Sequence, residues 1–316
     1  MKNYIVRRYI SEDYAIWNDF ISSAKNATFL FHRDFMEYHI NRFEDFSLMV
    51  FQDDKLVSVI PANKLDSMVY SHQGLTYGGF VFHEKIKMIV VKYILEDVIL
   101  FLKQQRITSL IIKDIVSIYT KEPTYEVGCL VIQKGGNLYR RDMNLALNLK
   151  DLNRISKSKQ KHYKKNLDRG IEIIQETIFN NFWQNVLQPR LKEKFGAKPV
   201  HSINEMTYLS QKFPDKIEQY NAYFEGEIVA GLTIFKFDNV IKSQYGATTC
   251  KGEKIRALDF LYFKLIEKYK DEFSFFDMGT ISENDGKDFN EGLLNQKEEL
   301  GCCVFNQDHY KLEIND

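Results

Sequence analysis

The feature that most constrains this chain is that it repeats itself. Landmarks of the first half return in the same order 163 to 169 positions later. A strand-like YIVRRYI precedes a helical segment bearing Trp17, and IEIIQETI precedes one bearing Trp183. FHRDFMEY carries His32, and VHSINEMTY carries His201. Two β-rich runs around a turn follow in each half, LMVFQDDKLVSVIPA and NAYFEGEIVAGLTIF. Tyr77 in TYGGF answers Tyr245 in QYGAT, and a long amphipathic helix then leads to a short apolar strand ending in Asp114 or Asp277. Five matches in one order imply two copies of one supersecondary plan: strand, helices, antiparallel strands, helix, strand. The expected fold class is α/β with mixed sheets, divided into an N-terminal domain 1–150 and a C-terminal domain 151–316.

The totals suit two domains of this size. The chain has 316 residues, 44% hydrophobic and 14% aromatic, which is ample for packed cores. Its formal net charge is zero, which argues against coating DNA through bulk electrostatics and leaves only local basic patches. The four cysteines show no CxxC spacing, and neither they nor the scattered histidines suggest a metal site. MIVVKYILEDVILFL is interrupted by Lys92, Glu96 and Asp97 and reads as a buried helix, not a membrane span. The N-terminus lacks the pattern of a signal peptide, so a cytoplasmic, soluble protein with reduced thiols is expected.

The copies differ where they end. After FFDMGT the second has a polar turn and then a helix carrying Phe289, Leu293, Leu294 and Leu300 as its apolar positions. The corresponding VSIYTKEPTYEVGCLVIQKGGNLYRR of the first reads as strands and a turn with no matching helix. The chemistry is therefore expected in the second copy, with the first supporting it.

Mixed strands with a helix launched from the sheet's middle resemble the GNAT acyltransferase plan. Two units in tandem, with YGAT, FFDMGTISENDG and NEGLLNQKEELG in the second, resemble the FemAB/FemX-like branch of that superfamily. The resemblance implies transfer of an acyl or aminoacyl group from an activated donor to an amine, in an amino sugar or a cell-envelope polysaccharide precursor. The donor is a co-substrate, with no tightly bound cofactor. Acyl-CoA is the favoured donor, although QYGATTCKGEK departs from the Q/R-x-x-G-x-G/A spacing of many CoA-binding members. Aminoacyl-tRNA is the alternative, against which no segment sustains a coiled-coil arm. A non-catalytic protein binding a phosphorylated glycan precursor, or touching a lipid-linked one peripherally, is a third reading.

Candidate residues follow from that frame. The junction SQYGATTCKGEKIRALDFLYFKLIEKY reads as strand, turn and helix 256–270, anchored by Leu258, Leu261, Leu265 and Tyr269. A helix start favours anions, so Gly246, Ala247, Lys251, Gly252, Lys254 and Arg256, with Asn284, are the expected donor-binding set. Acyl transfer to an amine needs a proton acceptor and a polarised carbonyl. Asp277 at a strand end, Glu283 in the next turn and Tyr245 are the catalytic candidates, with turn-capping as the alternative for Asp277. Lys157, Lys161 and Lys165 share one helical face, and with Arg169 and His201 they form an expected phosphate-binding set. His72, Tyr77 and Gly78 form the expected acceptor wall.

Overall fold

The computed structural model describes residues 4–314. These fall into two compact units. One runs through Met143 and takes in Asn284–Asp288 and the chain from Phe305; the other comprises Asn144–Glu283 and Phe289–Val304.

In the first unit, Tyr4–Arg8, Leu48–Gln52, Lys55–Ile60 and Val81–Phe82 form an antiparallel sheet in that order. A second set pairs Met68–Tyr70 in parallel with Ser109–Lys113. A parallel pair needs a crossover, and the helix Met88–Gln104 supplies it. Val91, Ile94, Leu95, Val98 and Leu102 recur at helical spacing and are buried, so this stripe fixes the helix on the sheet. The first copy also has a helix after its Asp strand, Glu126–Gln133, where the sequence predicts only strands and a turn. Val127, Leu130 and Val131 face the core at i, i+3, i+4; a run of apolar residues this short has no period that separates strand from helix.

The second unit is built on the same plan. Glu172–Glu176, Ile217–Phe224, Glu227–Lys236 and Val240–Thr248 are successive antiparallel neighbours. Val240–Thr248 then pairs in parallel with Phe275–Thr280, which pairs antiparallel with the end of Asn137–Asn148. The crossover is Ala257–Tyr269, burying Phe260, Leu261, Leu265 and Tyr269.

The repeated tryptophans do the same work in each unit. Trp17 and Trp183 are both fully buried, and each indole N–H donates to a backbone carbonyl, that of Phe31 at 2.8 Å and that of His201 at 3.3 Å. An indole N–H buried without a partner would give back part of what burial of its ring gains. The acceptor is the residue before the repeated histidine in the first copy and the histidine itself in the second. Among the described residues no helix is long and apolar enough to cross a membrane.

Candidate active site

The parallel strands of the second unit stay together for only three pairs, Val240 with Phe275, Ile241 with Phe276 and Lys242 with Asp277. Beyond that point Val240–Thr248 continues beside Glu227–Lys236, with a register shift at Thr233/Ile234, while Phe275–Thr280 follows the end of Asn137–Asn148. The sheet forks, and past the fork the edge of Ser243–Thr248 that faced Phe275–Thr280 pairs with no strand among the described residues.

Asp277 holds the fork closed at its base. Its side chain is 1% exposed and pairs with the Lys242 ammonium at 2.9 Å. Its other oxygen accepts from Asn144 Nδ2 at 2.9 Å and from the Gly279 N–H at 2.7 Å. An unpaired buried charge would be costly, and these partners satisfy both members of the pair.

Two adjoining cavities open from the fork. The inner one, about 200 Å³, has Leu258, Tyr262, Met278, Leu293 and Leu300 as its apolar wall. Ser243, Gln244, Gln296 and Lys297 are its polar groups. Ser243 and Tyr262 hydroxyls bond each other at 3.0 Å, whereas Gln244 Oε1 is buried without a partner. Lys297 Nζ donates to the carbonyls of Gly279 and Thr280 at 2.9 and 3.1 Å. Burial pushes its pKa down to about 8, against the opposing pull of Asp277. Lys297 thus sits at the wall of a cavity and holds its proton less tightly than an ordinary lysine.

The outer cavity, about 400 Å³, shares Gly246, Leu258, Leu293 and Gln296 with the inner one. Four cations border it, Lys159, Arg190, Lys194 and Arg256, against two carboxylates, Glu253 and Asp259. Lys159 bonds Asp259 at 2.7 Å, and Arg190 pairs with Glu253. Arg256 and Lys194 have no carboxylate partner among the described residues.

This wall is shaped by a helix that starts earlier than the sequence predicts. Thr249 Oγ1 accepts from the Gly252 N–H at 3.0 Å and caps Cys250–Ile255; Arg256, at φ 58°, then joins it to Ala257–Tyr269. The capped turn lies directly on a neighbouring strand, because a Cβ at Gly252 would fall 2.1 Å from the Val229 carbonyl oxygen. Gly252→Ala should therefore cost at least about 1–3 kcal/mol and move the cavity wall. Urea denaturation would measure this, and an unchanged midpoint would show that the backbone approach is not needed.

The expected donor set is partly assembled here. Gly246, Ala247, Gly252 and Arg256 line the outer cavity. Lys251 turns away, pairing with Glu225 and Glu227 at 2.9 Å each, and borders a separate depression. Lys254 is exposed, and neither cavity includes it. Asn284 belongs to the first unit, at φ 49°.

The catalytic candidates part company. Asp277 is interior and committed, as described. Glu283 is exposed and accepts from Asn290 at 3.0 Å. Tyr245 lines neither cavity; its ring meets Trp183 edge-on and its hydroxyl sits 2.6 Å from His201 Nδ1. Burial pushes its pKa up to about 12. His201 is accordingly buried against Tyr245 and not displayed to a phosphate.

Lys157, Lys161 and Lys165 lie on the outer face of the helix Lys157–Asn166, and neither cavity includes them. Lys159 on the inner face reaches the outer cavity instead. Arg169 bonds the Ile255 carbonyl at 3.5 Å.

The expected acceptor wall is interior to the first unit. His72 stacks on His39 and borders a void of about 10 Å³, and burial pushes its pKa down to about 3, so it carries no charge for an anion. Tyr77 is fully buried, its hydroxyl donating to Thr28. A Cβ at Gly78 would lie 1.3 Å from the Ser71 carbonyl oxygen, so this glycine serves a backbone crossing.

Sequence reading missed Lys242, Lys297, Gln244, Tyr262 and Arg190. Only Lys297 left a readable sign: Leu293, Leu294 and Leu300 stand at i−4, i−3 and i+3 on its helix, so its side chain shares an apolar face.

No protein-family model matches the chain, and no curated protein matches it in sequence. Solved structures match along nearly its whole length. The crystal structure of FemX aligns with a TM-score of 0.70 over 98% of this chain and 97% of that one, at 11% identity. A tandem GNAT protein from the clavulanic acid biosynthesis pathway aligns with a TM-score of 0.57 over 99% of each chain, at 10% identity. This chain has the tandem GNAT fold. The C-terminal domain of a putative lysylphosphatidylglycerol synthetase from Agrobacterium fabrum shares the fold too, with a TM-score of 0.63 over 96% of this chain and 92% of that one, at 9% identity. The resemblance seen in YGAT, FFDMGT and NEGLLNQKEELG thus holds at the level of fold, with the forked parallel strands in the second GNAT unit.

Proposed function

We propose that the second unit transfers an acyl or aminoacyl group from an activated donor to an amine. The observation that carries this reading is the fork: an unpaired strand edge, a small chamber behind it and a cationic mouth in front. An unpaired edge offers N–H and C=O groups to an extended ligand arm. The chamber is smaller than the 300–1,000 Å³ of usual small-molecule pockets, which suits the acyl end of a larger donor. Arg256 and Lys194 at the mouth suit the donor's phosphates.

The reaction joins the acyl carbon to the amine nitrogen and breaks its bond to the donor's sulfur or oxygen. The amine loses one proton and the leaving group gains one. Lys297 is suited to carry that proton, because a pKa of about 8 populates both of its forms near neutral pH. Asp277 acts at one remove, keeping Lys242 neutralised and the fork in place. The acceptor class follows the GNAT and FemX likeness: an amine of an amino sugar or of a cell-envelope polysaccharide precursor. Acyl-CoA is the favoured donor, and aminoacyl-tRNA is the alternative.

Thermal unfolding with acetyl-CoA tests the donor. Saturation at a hundredfold excess over Kd should stabilise the protein by about 2.7 kcal/mol. Arg256→Glu combined with Lys194→Glu should weaken this binding at least about tenfold while leaving the unliganded Tm within about 2 °C. A stabilisation that survives both reversals would remove the mouth from the donor site. Absence of transfer to any amine, with donor bound, would make the protein a binding module.

A further inference from the structure

The charges around the inner chamber bear on which acyl group it takes. Among the described residues no carboxylate lines it. The acidic group that acts most strongly on Lys297 is Asp277, and both of its oxygens are already occupied by Lys242, Asn144 and the Gly279 N–H. The Cys302 thiol behind the wall is buried and its pKa is pushed up, so it stays neutral. The Tyr262 and Ser243 hydroxyls satisfy each other. Lys297, its ammonium held by the Gly279 and Thr280 carbonyls, therefore lines the chamber with no uncommitted carboxylate beside it among the described residues.

An α-aminoacyl group would bring an ammonium into this space. It would lose water, meet another cation and find no counter-charge. Gln244 Oε1, buried and unpartnered, accepts one hydrogen bond but does not neutralise a charge. The apolar wall of Leu258, Met278, Leu293 and Leu300 suits a short hydrocarbon chain in the remaining volume.

We propose that the inner chamber selects an uncharged short acyl group and rejects an α-aminoacyl group of the same size. This rests on the acyl-transfer reading above and narrows it: the donor is an acyl carrier, and its transferred group lacks a free amine.

Propionyl and glycyl groups test this directly, because they differ only by CH₃ against NH₃⁺. Each is presented as its CoA thioester, and separately as its ester on an RNA hairpin, at about pH 6.5, where both amines are protonated. Binding is read by calorimetry and transfer by mass spectrometry. On whichever carrier binds, the propionyl form should be favoured by at least about a hundredfold. Lys297→Met, which removes the opposing cation, should narrow that preference by about tenfold. Leu293→Glu, which supplies the missing counter-charge, should improve glycyl binding. Glycyl binding equal to or tighter than propionyl binding would overturn charge selection while leaving acyl transfer standing. Failure of both groups on both carriers would remove the transferase reading itself, and this inference with it.

Discussion

Asp277→Asn should destabilise the second unit by about 3–5 kcal/mol, the usual cost of leaving a buried charge without its partner. The substitution keeps the shape of the side chain and removes only its charge. Lys242, 8% exposed, would then sit at the base of the fork with no carboxylate partner among the described residues. The Gly279 N–H and Asn144 would each face an amide that has one acceptor where the carboxylate had two. Denaturant midpoints measure the loss. A double variant, Lys242→Met with Asp277→Leu, should recover most of it, because a buried pair replaced by apolar groups of similar volume is often neutral. Near-native stability of Asp277→Asn alone would show that the pair does not hold the fork together.

Lys297→Met should lower kcat by about 10²–10³ and leave the donor Kd within about threefold, since the residue is assigned to the proton and not to the phosphates. The inflection near pH 8 in kcat/KM should disappear with it. A loss confined to donor affinity would move Lys297 from the reaction to the binding surface.

The same residue gives a stability signature with a definite sign. Its pKa is 10.5 in an ordinary environment and about 8 in the fold. Between those values the unfolded chain holds the proton and the folded one releases it, so stability rises with pH across that window. Below about pH 8 both states are protonated and the slope vanishes. Relative to Lys297→Met, the protein should gain up to about 3 kcal/mol between pH 7.5 and 10.5. Taking the difference from the variant removes the contribution of the many tyrosines that titrate at the upper end. A flat difference would mean that the lysine is solvated in the fold.

Much of the architecture was legible in the chain itself. Tryptophan, histidine, tyrosine and aspartate landmarks recurred because each copy needs the same local pieces: an indole tied to a carbonyl, a crossover helix with one apolar stripe, and a strand ending in a carboxylate. Such needs are met by residues close in sequence, so their spacing is preserved and readable. The outer cavity was partly readable for the same reason, since Gly246, Ala247, Gly252 and Arg256 belong to one strand–turn–helix junction.

The reactive geometry was decided elsewhere. Asp277 looks like a free base on a strand end until Lys242, 35 positions away, is brought beside it by parallel pairing. His72 and Tyr77 look available until the neighbouring elements bury them. Lys297 shares an apolar helix face in the sequence, but only the packing of those neighbours over the fork removes its water. The duplicated plan is written in the chain, because hydrophobic period and capping are local. The tertiary structure alone chose which charges are spent on one another and which are left facing the chamber, because desolvation and Coulomb energy depend on distances that no single stretch of chain contains.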